Sequence, residues 1–208
     1  MTIRKGLQSC FDKSLPGLPA QLKMAPFHRR EELITPGTID KAIKSSVLML
    51  FYPKEGMEHI AFIKRPVYNG VHSGQIALPG GRWESTDKSL YHTALREARE
   101  EIGIDTHQVK HVGKLTDLYI PPSNYVVSPF VATYDKQQNF APDPQEVDEI
   151  LEVPFSFFLE KTSVRKIKIE TSGGLVVETP CFDYKGNIIW GATAMIMSEM
   201  VIQWKSTV

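Results

Sequence analysis

Cysteine is scarce in this chain. Cys10 and Cys181 are the only two cysteines among 208 residues, and neither belongs to a C-x-x-C motif. A disulfide scaffold and a cysteine zinc site are therefore not expected, because both need more thiols at closer spacing. Two reduced thiols are typical of a protein that resides in the cytosol.

Long hydrophobic runs are also missing. The longest apolar run, residues 47–52, is far shorter than the roughly 18 residues that a membrane-spanning helix needs. Residues 1–20 contain Arg4 and Lys5, but no apolar core of a signal peptide follows them. Residues 206–208 match no retention or peroxisomal address. We therefore expect cytoplasmic localisation and no membrane partner.

An excess of charge of one sign is absent as well. Lys plus Arg and Asp plus Glu each number 24, so the formal net charge is zero. Without a global positive field, nothing draws the chain electrostatically to nucleic acid, and we expect no nucleic-acid partner. Hydrophobic residues make up 42% and charged residues 23% of the chain, which is the composition of a globular protein.

The pattern of apolar residues predicts one mixed α/β domain preceded by an arm. Residues 1–43 are interrupted by prolines, and we predict that they form an arm packed on the domain at 44–208. Helical spacing covers residues 89–102 and 193–204. Strand patterns occur at 45–52, 60–63, 109–119, 126–134, 164–170, 175–179 and 187–190.

The first predicted helix carries three glutamates on one face. Glu97, Glu100 and Glu101 stand at i, i+3 and i+4, so they project together. Like charges at this spacing repel one another, and a bound cation reverses that effect. Mg²⁺ takes one or two carboxylates together with water and substrate phosphate oxygens. The face therefore indicates an Mg²⁺ or Mn²⁺ site, although a solvated charged face explains the same residues taken alone.

A glycine pair precedes this helix. Pro79-Gly80-Gly81 lets the backbone approach a metal or an anion closely, because glycine has no Cβ atom. We expect the Gly81 carbonyl to be a metal ligand and Gly80 to contact the substrate.

The segment 81–104 resembles the signature of the Nudix hydrolases, G-x5-E-x7-R-E-U-x-E-E-x-G-U, where U is aliphatic. Its second half matches at Arg96, Glu97, Ala98, Glu100, Glu101, Gly103 and Ile104. In its first half, Asp87 stands where the signature has Glu, and eight residues rather than seven precede Arg96. One residue is inserted, and the first acidic side chain is shorter.

The sequence before the glycine pair is similar to the coenzyme A pyrophosphatase branch of that family. The branch pattern is L-L-T-x-R-S-x3-(R/K)-x3-G-x3-F-P-G-G. Matches occur at Arg65, Gly74, Pro79, Gly80 and Gly81, and departures occur at Ile63, Pro66, Gly70 and Leu78. Gly70 replaces a basic residue at a position suited to meeting a phosphate. The resemblance spans roughly residues 45–204.

The resemblance implies a fold and a reaction. The fold is an α/β/α sandwich in which helices flank a mixed sheet. The reaction is Mg²⁺- or Mn²⁺-dependent hydrolysis of a diphosphate linkage, with coenzyme A or its thioesters cleaved to 3',5'-ADP and 4'-phosphopantetheine products. Two alternatives stay open: hydrolysis of another nucleoside diphosphate derivative, such as ADP-ribose, NADH or a dinucleoside polyphosphate, and a non-catalytic domain that binds a nucleotide. A homodimer is a further hypothesis.

The resemblance also assigns roles to single residues. Family members place the general base in the signature helix or on a later loop, so Glu97 and Glu146 are the two candidates, although a solvated acidic turn that caps a helix also explains Glu146. Arg65 is either a donor to the diphosphate or the partner of a surface acid. Arg96 is expected to orient a signature carboxylate. Tyr125 is expected to stack on a base, and a rigid surface loop explains it equally.

Overall fold

The computed structural model describes residues 3–26, 41–67, 73–170, 174 and 176–207. The strands in these residues are β1 (Ile43–Lys54), β2 (Met57–Lys64), β3 (Ile76–Ala77), β4 (Gly80–Arg82), β5 (Val109–Lys114), β6 (Leu118–Ile120), β7 (Tyr125–Tyr134), β8 (Glu149–Pro154), β9 (Val164–Glu170), β10 (Val176–Tyr184) and β11 (Asn187–Trp190). The α-helices are α1 (Ile3–Cys10), α2 (Gly17–Gln21), α3 (Leu90–Ile102), α4 (Phe155–Leu159) and α5 (Gly191–Thr207).

A mixed sheet lies at the centre of the fold. Its main path runs β3-β2-β1-β7-β5, and β4, β6 and β8 pair with β1, β7 and β2 respectively. Strands β1 and β7 are parallel, whereas the neighbouring pairs are antiparallel. Strands β9, β10 and β11 form a second, antiparallel sheet. Strand β1 therefore has partners along both of its edges and lies in the interior of the sheet.

The two faces of β1 contribute to different apolar clusters. Leu48 and Leu50 pack with one cluster, whereas Met49 and Phe51 pack with the other. This alternation follows from the two-residue period of a strand. A strand with both faces covered lies in the middle layer of a sandwich.

Helices cover both faces of the sheet. On one face, α3 contributes Ala94, Ala98 and Ile102 to the cluster that contains Leu48 and Leu50. On the other face, α5 contributes a buried series that includes Ala194, Met197, Met200 and Trp204. The predicted α/β/α sandwich with a mixed sheet is confirmed.

The N-terminal helices pack on α5. Leu7 and Cys10 of α1 are fully buried in the core cluster. Gln21 Nε2 donates to Glu199 Oε2 at 2.9 Å, and Ser198 Oγ donates to the Ala20 carbonyl at 2.8 Å. Residues 27–40 lie outside the described residues, so the division into an arm at 1–43 and a domain at 44–208 stays a prediction.

The observed elements differ from the sequence prediction in several places. The predicted strand 109–119 is two strands, because β5 ends at Lys114 after a bulge between His111 and Gly113. Strand β8 and helix α4 were not predicted, since the charged residues at 149 and 152 hide the apolar alternation of β8.

Gly70 lies outside the described residues. Within them, no helix is long and apolar enough to cross a bilayer.

Candidate active site

Helix α3 has well-defined ends. The Ser89 side chain caps its start by accepting a hydrogen bond from the His92 N–H at 3.2 Å. Gly103 ends the helix with a left-handed φ of 69°, and its N–H donates to the Arg99 carbonyl. A Cβ on Gly103 would lie 2.9 Å from the Cβ of Ala141. The glycine therefore stops the helix and leaves room for the loop that contains Ala141.

The glutamates of α3 differ in exposure. Glu101 is 1% exposed, and Glu97 is half buried. The Glu100 side chain is 46% exposed. The apolar stripe of the helix points into the sheet, so it turns Glu97 and Glu101 toward strand β4 and leaves Glu100 near solvent.

The glycine pair of β4 lies directly against two of these carboxylates. The Gly80 N–H donates to Glu101 Oε2 at 2.8 Å. A Cβ on Gly81 would lie 2.4 Å from both Cδ and Oε1 of Glu97. A side chain at position 81 would therefore displace the Glu97 carboxylate, which occupies that space.

A loop after β7 brings a third carboxylate to the same place. The Ala141 N–H donates to the Ile102 carbonyl and the Asp143 N–H donates to the Glu101 carbonyl, both at 3.1 Å. Glu146 follows in a turn and is exposed. One carboxylate oxygen each of Glu97, Glu101 and Glu146 lies within 4.8 Å of the other two. We call these three residues the acid cluster.

The acid cluster lies in a poorly solvated place, which disfavours the charged forms of Glu97 and Glu101. Burial, with smaller contributions from the Glu97 and Glu146 carboxylates, raises the pKa of Glu101 to about 8 against the opposing effects of Arg65 and of the Gly80 N–H. Burial also raises the pKa of Glu97 above its ordinary value, because its effect is larger than the opposing effect of Arg96. A cation among these oxygens would favour their charged forms.

Arg96 joins the helix to the loop before it. Its Nη1 atom lies 3.0 Å from Glu97 Oε1 and donates to Glu100 Oε2 at 2.9 Å. On the other side, Nε and Nη2 donate to the two carboxylate oxygens of Asp87. The Asp87 hydrogen bonds raise the pKa of Arg96, which keeps its charge. In this position Arg96 contacts the predicted signature carboxylates.

Asp87 has a structural role that the sequence analysis did not assign. Besides Arg96, it accepts hydrogen bonds from the Thr93 hydroxyl at 2.9 Å and from the Glu84 N–H at 3.1 Å. The Arg96 hydrogen bonds hold the pKa of Asp87 at about 2. The sequence did indicate that Asp87 is a candidate site residue, since it stands where the signature has an acidic residue. Nothing in the sequence indicated Thr93.

The structure brings Arg65 close to the acid cluster and separates Tyr125 from it. Arg65 follows β2, and its Nη2 atom lies 3.9 Å from Glu101 Oε1. Tyr125 packs against the apolar cluster of α5, on the sheet face opposite α3. The Glu100 carboxylate contacts Arg96 and does not belong to the acid cluster. The third carboxylate beside Glu97 and Glu101 is that of Glu146.

The residues of this site fit a divalent metal ion. Three carboxylates offer oxygens, which are the ligands that Mg²⁺ and Mn²⁺ prefer. Glu101 is buried and Glu97 half buried, where carboxylates are costly to charge without a compensating cation. The Glu97 carboxylate fills the space that a side chain at position 81 would take, so it lies directly against the backbone of β4.

Comparison with known proteins identifies the family of this chain. The model of the NUDIX domain matches residues 43–169, which is more than half of the chain. The chain therefore belongs to the Nudix family.

Three relatives illustrate the similarity. Nudix hydrolase 22, chloroplastic, of Arabidopsis thaliana is 32% identical over 191 residues, which are 89% of this chain and 59% of that protein. The mitochondrial coenzyme A diphosphatase NUDT8 of Homo sapiens is 32% identical over 136 residues, or 64% of this chain and 57% of the relative. The peroxisomal coenzyme A diphosphatase NUDT7 of Mus musculus is 32% identical over 142 residues, or 68% and 59%.

The resemblance to the coenzyme A pyrophosphatase branch is confirmed, because two proteins named coenzyme A diphosphatase are among those that this chain is similar to. The chain spans less than two thirds of the length of each of these three relatives.

Proposed function

We propose that this protein is a divalent-metal-dependent Nudix hydrolase that cleaves the diphosphate linkage of coenzyme A or its thioesters. The products are 3',5'-ADP and a 4'-phosphopantetheine compound. The observation that carries the proposal is the acid cluster beside the glycine pair, since its oxygens lie within 4.8 Å of one another. The names of two relatives support coenzyme A as the substrate.

Glu97 and Glu101 would hold the Mg²⁺ or Mn²⁺ ion, with Glu100 and the Gly81 carbonyl as further donors. When bound, the ion neutralises charge on the phosphoryl oxygens and orients the diphosphate. Glu97 contacts Arg96 at 3.0 Å and Glu101 accepts from Gly80 at 2.8 Å, so both carboxylates are oriented before substrate binds. Such preorganisation is a main source of rate enhancement in phosphoryl transfer.

Glu146 is the better candidate for the general base. Its carboxylate is exposed and belongs to the acid cluster, so it is accessible to a water molecule that attacks phosphorus. Glu97 is half buried and contacts Arg96, which favours a role as a fixed ligand. In this assignment Glu146 accepts the proton of the attacking water.

Arg65 is proposed to bind the diphosphate. Its guanidinium lies 3.9 Å from Glu101 and its side chain is 31% exposed, so it borders the acid cluster from the side of β2. A guanidinium donates two parallel hydrogen bonds to phosphate oxygens. Gly80 is a weaker candidate for substrate contact, because its N–H already donates to Glu101.

A substrate panel tests the proposed function. The protein is incubated with Mg²⁺ or Mn²⁺ and with coenzyme A, acetyl coenzyme A, ADP-ribose, NADH or a dinucleoside polyphosphate, and the products are identified by mass. We expect 3',5'-ADP from the coenzyme A compounds and the highest kcat/KM for them. Preference for another compound would move the assignment to that substrate, and absence of any turnover would support a non-catalytic nucleotide-binding domain.

Cytoplasmic residence, a homodimeric assembly and the absence of a nucleic-acid partner remain parts of the proposal. We also propose that the domain extends beyond the matched region to residue 208. Helix α5 supplies the second helical layer, and its Met197 and Met200 are fully buried.

A further inference from the structure

A buried hydroxyl without a hydrogen-bond partner lies near the acid cluster. Ser46 of β1 is fully buried, and its Oγ atom makes no hydrogen bond to any residue that the structure describes. Polar groups in protein interiors are almost always paired, because an unpaired one keeps the desolvation penalty. Ser46 therefore needs an explanation other than packing.

The side chain of Ser46 faces helix α3. Leu48 and Leu50, at the next positions of the same parity on β1, belong to the apolar cluster that contains Ala94 and Ala98 of α3. Side chains two residues apart on a strand point to the same face. The Ser46 hydroxyl therefore points into the layer between the sheet and the helix that carries Glu97.

The register of the sheet places this hydroxyl next to Glu97. Ser46 pairs directly with Gly81 in the antiparallel ladder of β1 and β4. Side-chain positions directly opposite each other are about 5 Å apart. The Glu97 carboxylate lies 2.4 Å from the position that a Gly81 Cβ would take. A small rotation of the Glu97 side chain is therefore enough to bring its carboxylate within hydrogen-bonding reach of the Ser46 hydroxyl.

We propose that Ser46 is a positioning residue for Glu97. When the divalent ion is bound, the Ser46 hydroxyl donates a hydrogen bond to the Glu97 carboxylate and holds it toward the ion. Arg96 contacts Glu97 Oε1 at 3.0 Å, so the carboxylate would be held by both the helix and the sheet. The proposal rests on the proposed function, because only there is Glu97 a metal ligand.

Removing the hydroxyl separates this role from a structural one. Partners that orient a metal ligand typically change metal affinity by about 10- to 100-fold when removed. We therefore expect Ser46→Ala to weaken Mn²⁺ binding by that factor, measured by calorimetry on the metal-free protein without substrate. The melting temperature of metal-free Ser46→Ala should be unchanged or higher, since the variant removes an unpaired buried hydroxyl. Ser46→Thr keeps the hydroxyl and should restore Mn²⁺ affinity to within a few-fold of the original.

The neighbouring serine provides a matched control. Ser45 is 5% exposed and its Oγ donates to the Val126 carbonyl at 3.1 Å, so its hydroxyl has a partner and its side chain faces away from α3. We expect Ser45→Ala to lower the melting temperature and to leave Mn²⁺ affinity unchanged. The two adjacent serines should therefore show opposite patterns.

Equal Mn²⁺ affinity of Ser46→Ala and the original protein would overturn the proposal. A lower melting temperature of the metal-free variant would also overturn it, because the hydroxyl would then have a structural partner. The binding measurement uses no substrate. A protein that binds Mn²⁺ but hydrolyses no diphosphate would therefore refute the proposed function while the Ser46 comparison could still be made.

Discussion

The guanidinium of Arg96 and the carboxylate of Asp87 form a two-point contact, in which Nε and Nη2 each donate to one oxygen at 3.1 Å. The Asp87 side chain is 5% exposed. This contact connects the loop after β4 to the helix that carries the glutamates. Since Arg96 also contacts Glu97, Asp87 fixes the arginine that orients a proposed metal ligand.

The stability of the protein should depend on pH through Asp87. The Arg96 hydrogen bonds lower the pKa of Asp87 from its ordinary value of 3.8 to about 2 in the folded state. A depressed folded-state pKa stabilises the protein above the unfolded value, and the contribution is lost as pH falls from about 4 through about 2. It amounts to roughly 2 kcal/mol at neutral pH.

Asp87→Asn should remove this contribution. Urea unfolding at pH 6 should show a free energy of unfolding lower by roughly 2 kcal/mol, and the difference should shrink toward pH 2. Parallel stability curves of the two proteins between pH 6 and pH 2 would contradict the assigned role of Asp87.

Gly81→Ala should displace the Glu97 carboxylate while the fold persists. The added Cβ would lie 2.4 Å from Glu97 Cδ and Oε1, which are at the far end of a flexible side chain. We expect Mn²⁺ affinity to fall by at least about 10-fold, measured by calorimetry.

Gly80→Ala is the contrasting variant. Its Cβ would lie 2.2 Å from the Ser46 carbonyl oxygen, which is backbone, and its φ of 154° disfavours other residues. A marked loss of melting temperature is expected for Gly80→Ala and a small one for Gly81→Ala. Full Mn²⁺ affinity in Gly81→Ala would show that Glu97 is not a ligand.

Glu101→Gln and Glu100→Gln should differ in metal binding. Glu101 is buried in the acid cluster, whereas the Glu100 side chain is 46% exposed and contacts Arg96. Glutamine keeps the acceptor for the Gly80 N–H but loses the charge. We expect Glu101→Gln to lose more than about 100-fold in Mn²⁺ affinity and nearly all turnover, and Glu100→Gln to lose less. Equal losses would indicate that Glu100 turns toward the ion when it binds.

Glu146→Gln tests the assignment of the general base. Loss of a general base typically lowers the rate by about 10²- to 10⁴-fold. We expect kcat at saturating Mn²⁺ to fall in that range while Mn²⁺ affinity changes by less than about 10-fold. The measurement combines steady-state kinetics on coenzyme A with calorimetry. A large loss of Mn²⁺ affinity with a normal kcat would make Glu146 a ligand and leave Glu97 as the base.

Local patterns in the sequence were sufficient for much of the fold. The predicted helix 89–102 corresponds to α3 at Leu90–Ile102, and the predicted closing helix lies within α5. The three glutamates were placed on one face of α3 by helical spacing, and Glu97 and Glu101 do share the acid cluster. Spacing within one helix is set by 3.6 residues per turn, so sequence separation alone predicts it.

The sequence was less informative about features that depend on contacts between residues far apart in the chain. It did not predict that Glu100 turns to Arg96, because which part of a helix face is buried depends on the sheet beneath it. Tyr125 was a candidate either for stacking on a base or for a rigid surface loop, and only the parity of β7 shows that it lies on the sheet face opposite α3. A single shift in strand register reverses every side chain, and that register is fixed by packing.

The amino-acid sequence by itself determined the helix that carries the acids, the glycine pair and the family, because each depends on residues that are close along the chain. Only the tertiary structure decided which acids meet. Glu146 lies 45 positions after Glu101 and joins it through backbone hydrogen bonds of a loop, and Ser46 meets Gly81 through strand register. Such contacts depend on the packing of the whole sheet, which no local pattern contains.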